Sequence, residues 1–181
     1  MPKGLKETSS QIVVSFELAE SAANTFTTER VDLQLNALDN EVFVVTGVKL
    51  DLDIPDVQAG SGNVRTAVRA TLSKQDISNA NIQTLGNPSV FASASCQTAT
   101  AISPQPGGDN FGVSLLMQEN HTDAPFQVDY VDIIATPDFF VNISGVANIQ
   151  AKGVAGKMYG YRARADASTY AALVQSELLS Q

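Results

Sequence analysis

Histidine is nearly absent from this chain of 181 residues: His121 stands alone, beside a single cysteine and no tryptophan. Each shortage excludes a class of chemistry. Cupin-type metal centres and facial-triad oxygenases need at least two histidines, so both are excluded. A serine or cysteine nucleophile would have His121 as its only imidazole base. That histidine lies in the polar stretch Glu-Asn-His-Thr-Asp-Ala-Pro, which reads as a solvated loop. Cys96 has no partner for an intramolecular disulfide, so a stapled scaffold is excluded and the thiol is expected to be buried and structural. With no tryptophan and four tyrosines, the aromatic platform that usually grips sugar rings is thin.

Charge is scarce too. Charged residues make up 17% of the chain against roughly 25% in typical soluble domains, and Ser, Thr, Asn, Gln, Ala and Gly take their place. The net charge of -8 is the wrong sign for a dedicated phosphate binder, so direct nucleic-acid binding is not expected. No apolar run approaches the ~18 residues a membrane helix needs, so no transmembrane segment is expected. The opening Met-Pro-Lys-Gly-Leu-Lys-Glu is followed by no apolar signal core. No repeat recurs at a fixed period. The sequons at Asn120 and Asn142 are unremarkable in an Asn- and Thr-rich chain.

What the chain does have is alternation of period two, the mark of half-buried strands. Residues 1–10, with Lys3 and Lys6, read as a flexible N-terminal arm. Strands are expected over Gln11–Leu18 and Glu29–Ala37, then over Val42–Ile54, which is apolar on both sides in its first half and on one side in its second. A strand that begins between two layers and runs out to solvent has that pattern. Pro55 ends it. Further strands are expected over Val64–Ser73, Val90–Cys96, Phe111–Gln118, Phe126–Ala135, Phe139–Ser144 and Lys157–Arg164. Lys74–Pro88 and Ser103–Asp109 read as loops. Ser168–Leu179 carries Tyr170, Leu173, Val174 and Leu178 at helical spacing, capped by Asp166 or Ser168.

These elements predict an all-β antiparallel β-sandwich over residues 11–164, an eight-stranded jelly roll, with one short C-terminal helix in 165–181. Strands never alternate with helices, which excludes a doubly wound parallel sheet. Val42, Val44, Val48, Leu50, Val68, Leu72, Ile133 and Phe140 are the expected core.

No motif for catalysis emerges, and no cofactor is expected. Glu17, Glu20, Asp51, Asp53 and Asp129 are the carboxylates a sandwich glycosidase would draw on. Asp51, Asp53 and Asp56 are candidate calcium ligands, hard oxygens at a strand exit, but their spacing is not that of an EF-hand. Gly153, Gly156 and Gly160 fit a strand and turn, not a phosphate loop. The charge layout says more. Residues 32–56 hold Asp32, Asp39, Glu41, Asp51, Asp53 and Asp56 against Lys49, whereas 152–164 hold Lys152, Lys157, Arg162 and Arg164 with no acid. Such a bipolar chain either docks on copies of itself or pairs its charges within the fold.

The stretches Asp129–Phe140, Tyr159–Arg164 and Tyr170–Glu177 resemble small virion proteins of the single jelly-roll type. The resemblance is one of texture over the last third of the chain. It implies a coat subunit that assembles with itself or a sister protein into an icosahedral shell in the virion. A basic arm for packaging a genome is not part of this chain's pattern. On this reading Lys152, Lys157, Arg162, Arg164, Tyr170, Leu173, Val174 and Leu178 form the subunit interface, and the helix, too short to stand alone, docks either on a neighbour, the favoured expectation, or on the end of its own sandwich. The rival expectation is a carbohydrate- or receptor-binding β-sandwich such as a phage adhesin.

Overall fold

Alternating side chains leave one apolar face on each strand, and two sheets bury those faces against each other. The computed structural model describes residues 4–58, 64–77, 82–102, 113–121 and 129–179, of which 101–102, 113–116, 119–121 and 178–179 by backbone alone. Ten strands occur in the order β1 (Leu5–Glu7), β2 (Ile12–Ala19), β3 (Thr27–Asp32), β4 (Glu41–Leu52), β5 (Val64–Ser73), β6 (Val90–Ile102), β7 (Val113–His121), β8 (Asp132–Ile134), β9 (Asp138–Val146) and β10 (Gly153–Ala165). The helix α1 (Ala167–Leu179) follows.

The first sheet runs β1-β10-β4-β8, with β2 beside β1 on the same flank of β10, and the second runs β3-β9-β5-β6-β7. All pairings are antiparallel. Leaving β1 and β7 aside, the remaining eight strands pair outermost with outermost: β2 with β10, β3 with β9, β4 with β8, β5 with β6. A long antiparallel ribbon folded across two sheets is the jelly roll. The count is ten because β7 adds an edge beyond β6 and β1 pairs with the far end of β10. Leu5–Glu7 thus form a strand inside the segment expected to be an arm.

Phe16, Leu18, Phe43, Val45, Val154 and Met158 of the first sheet meet Val68, Leu72, Phe139, Val141 and Ile143 of the second. The Phe16 and Phe139 rings pack edge to face at 5.7 Å, a preferred aromatic geometry. A second apolar cluster lies on the opposite face of the first sheet, where Tyr170, Leu173 and Val174 of α1 cover Val42, Val44, Ala163 and Ala165. The first half of β4 is therefore buried on both sides, which is why its sequence is apolar on both.

Val42 and Val44 do not share a face with Val48 and Leu50, as unbroken alternation had implied. Val48 and Leu50 join the inter-sheet core, Val42 and Val44 the cluster under α1. In the pairing with β10, Tyr159 lies opposite Gly47 and Gly160 opposite Val45, leaving Thr46 as an extra residue. This bulge turns the strand over. Val48 is only half-buried. The expectation for Ile133 and Phe140 is corrected as well: both are half-buried, and their neighbours Ile134 and Phe139 fill the core instead. Where two apolar residues are adjacent, alternation alone does not say which one faces inward.

Asp166 caps α1, its carboxylate accepting from the Thr169 amide at 2.7 Å and the Ser168 hydroxyl at 2.8 Å. Those bonds, the Thr169 amide foremost, hold its carboxyl below the usual aspartate value. The Asp166 amide in turn donates to the Gly4 carbonyl, which ties the helix to the start of β1.

Candidate assembly surface

Charges separated in sequence are brought together by the antiparallel pairing of β4 and β10. Lys152 pairs with Asp56 at 2.5 Å and Arg164 with Asp39 at 2.6 Å. Arg162 points between the sheets and donates to the Leu33 carbonyl at 3.0 Å, while its Nε finds no partner among the described residues. Only Lys157 of the basic segment stands exposed without an ion pair among the described residues; it lies directly across from Lys49. Two pairs of the bipolar layout thus close within the fold. The apolar half of the expected interface also turns inward, since Tyr170, Leu173 and Val174 pack on the chain's own first sheet. These side chains of α1 therefore close the chain's own sheet. The Leu178 side chain lies outside the described residues.

The end of the sandwich formed by the turns after β2, β4 and β9 is a polar network. Asp56 accepts from the Ile149 and Gln150 amides at 2.7 and 3.1 Å, as well as from Lys152. The Lys152 bond is the largest reason its carboxyl sits below the usual aspartate value, and the Ile149 amide is the next. Asp53 accepts from the Gly153 amide at 2.6 Å, and Asp51 is exposed on the sheet face. Of the three candidate calcium carboxylates, Asp53 and Asp56 therefore brace turns, while Asp51 stands apart on the strand. No group of three or more His, Cys, Asp or Glu is gathered for a metal among the described residues. Glu20 is buried and accepts from the Gly145 and Lys152 amides at 2.5 and 3.0 Å. Asn148 and Asn24 exchange two bonds, at 2.7 and 2.8 Å.

This bracing has an outward consequence. The turns 53–58 and 146–150 are held side by side, and they carry Ile54 and Ile149 at 62% and 71% exposure, together with the exposed Val57 and Val146. Ala147, between Val146 and Ile149, has a φ of 56°, a left-handed conformation that costs free energy outside glycine. Four exposed apolar side chains therefore stand on this braced pair of turns. Sequence alternation did not group them, because they come from two segments about ninety residues apart that only the fold sets side by side. A second exposed feature is the free edge of β2. Among the described residues its eight residues IVVSFELA pair only with β10; they contain one charge and present Val13 at 49% exposure. Long apolar edges of this kind pair with other strands unless blocked.

The catalytic candidates do not converge. Glu17 and Asp51 are exposed on the outer face of the first sheet, opposite Ala155 from either side; Glu20 is occupied by amides at the turn end, and Asp129 lies just before β8. A shallow cleft of about 280 Å³ bordered by Glu17, Asp51, Asp53 and Lys152 is open to solvent. The side chain of His121, at the end of β7, lies outside the described residues, as does that of Asn120. Asn142 is fully buried and donates to the Thr71 carbonyl and the Ser73 hydroxyl, so its sequon is closed in the folded state. Cys96 is buried. Among the described residues no helix is long and apolar enough to cross a membrane.

The carboxylate that sequence reasoning passed over is Glu177. It is 3% exposed on α1 and accepts from the Ala135 and Thr136 amides at 3.0 and 3.1 Å. Burial pushes its carboxyl above the ordinary value, against those two bonds and the nearby Lys74. Its carbonyl also accepts from Gln75, so the end of the helix is tied to the loop after β5. No protein-family model matches the chain, and no curated protein matches it.

Proposed function

We propose that this chain is a structural virion protein, a coat subunit that assembles with copies of itself or with a sister protein into an icosahedral shell. The observation that carries the reading is the strand order, eight strands wound outermost to outermost into a jelly roll, an architecture used by viral capsid and lectin domains. The resemblance of the C-terminal third to single jelly-roll virion proteins points the same way. The step from fold to role is an analogy of architecture, so the surfaces must bear it. They support it in two places: the braced turns carrying Ile54, Val57, Val146 and Ile149, and the unpaired edge of β2. Lys152, Arg162, Arg164, Tyr170, Leu173 and Val174, six of the groups first expected to make the interface, are engaged within the chain, so the contacts between subunits are assigned to these apolar elements.

Size-exclusion chromatography with light scattering over a rising concentration series, followed by negative-stain imaging, tests the proposal. The expected result is oligomers that grow into closed particles of uniform size. Val13→Lys, which places a charge on the β2 edge, and Ile149→Ser should each weaken assembly while leaving the folded monomer intact by circular dichroism. A chain that stays monomeric at high concentration, alone and with the other proteins of its particle, overturns the reading.

A further inference from the structure

The outer face of the second sheet holds a cavity of about 430 Å³, within the size range of small-ligand sites. Its floor is built from central strands. Arg69 and Thr71 of β5 lie directly opposite Ser95 and Ser93 of β6, and Gln97 follows on the same face opposite Ala67. Residues so paired stand roughly 5 Å apart. β5 is itself flanked by β9 on its other side, so the floor is rigid. The segment before β6 forms a wall that presents the half-exposed Leu85 to the cavity.

We propose that this cavity binds a carboxylate-bearing sugar, a uronic acid residue. Arg69 is exposed and makes no ion pair among the described residues. In a chain of net charge -8 it is a lone cation over a surface of hydroxyls and an amide. A guanidinium grips a carboxylate through two parallel bonds, which no neutral sugar reproduces. Ser93, Ser95 and Gln97 supply the donors and acceptors that neighbouring ring hydroxyls require. Leu85 meets the apolar C–H face of the ring, in place of the aromatic platform the chain lacks. A phosphate ligand fits less well, since one arginine without a lysine or a helix N-terminus is a weak phosphate cradle. The proposal is independent of the coat-subunit reading, and a site of this kind gives the folded chain an affinity for acidic glycans whether or not it assembles.

Titration of galacturonate into the ¹⁵N-labelled full chain, followed by amide chemical shifts, is the test. The expected result is a saturable shift centred on Arg69, Ser95 and Gln97, with galactose and acetate each at least about tenfold weaker, the loss that follows when a charge-assisted bond or the ring contacts are missing. Arg69→Gln should abolish the preference for galacturonate over galactose, and Ser95→Ala should weaken both. Arg65→Gln, on the same strand but outside the cavity, should change neither. Acetate binding as well as galacturonate overturns the sugar assignment. Shifts absent from this face, or a preference that survives Arg69→Gln with native dispersion, overturn the site.

Discussion

Gly160 shows how one missing methyl group sets the shape of a strand. A Cβ there would overlap the Val44 carbonyl and the Phe43 ring, at the point where β4 bulges and changes face. Gly160→Ala should therefore destabilise the domain by about 3 kcal/mol, the upper range for overpacking. Gly47→Ala, whose Cβ would find nothing nearer than Tyr159 at 3.9 Å, should cost no more than about 1 kcal/mol, the ordinary effect of a point change. Urea titration of both variants checks the contrast. Glu177 makes a prediction in pH. Burial raises its carboxyl above the ordinary 4.5, so the folded state holds the proton more tightly than the unfolded chain. That contribution to stability is fully present below about pH 4.5 and is lost as pH rises through the raised value. Glu177→Gln is neutral throughout, so its stability relative to the native protein should climb with pH above 4.5. Asp56 and Asp166, both held below the ordinary 3.8, change their contributions only at lower pH and leave that window clear. A difference that stays flat from about pH 4 to 7 would sink the assignment.

At the scale of elements, α1 is a layer of the fold. An isolated helix of 13 residues is marginal in water, and this one is held by its capped start, by Tyr170, Leu173 and Val174 against the first sheet, and by Glu177 at its end. Truncation after Ala165 uncovers Val42 and Val44, both fully buried in the intact chain, and should lower the midpoint of thermal unfolding. Leu173→Ala should cost about 1–2 kcal/mol, less than a fully buried leucine because this one is half-buried. Differential scanning calorimetry of the two variants is the measurement, and a truncated chain of native stability would refute the docking.

For the whole molecule, the internal pairing of opposite charges leads to a prediction about assembly. Lys152–Asp56, Arg164–Asp39, Lys74–Asp132 and Arg30–Asp138 close within one chain, which leaves apolar turns and a strand edge to join subunits. Raising NaCl from about 0.1 to about 1 M shortens the screening length from about 10 to about 3 Å. Assembly should survive that change, as read by light scattering. Dissociation by salt would return the interface to charged groups, with Lys49 and Lys157 the first to substitute.

The sequence alone determined the sandwich and the terminal helix, with its cap narrowed to Asp166 or Ser168, because pleat, helical turn and cap are local properties written within a few residues of one another. It also marked the first half of β4 as lying between two layers. The tertiary structure decided the rest. Which face Val42 or Val48 occupies depends on the bulge opposite Gly160, and that depends on a strand more than a hundred residues away. Arg164 meets Asp39 across 125 positions of chain, a pairing that composition announces and only register completes. The cavity beside Arg69 exists because β5 and β6 lay serines, a threonine and an arginine side by side, and that juxtaposition belongs to neither strand on its own.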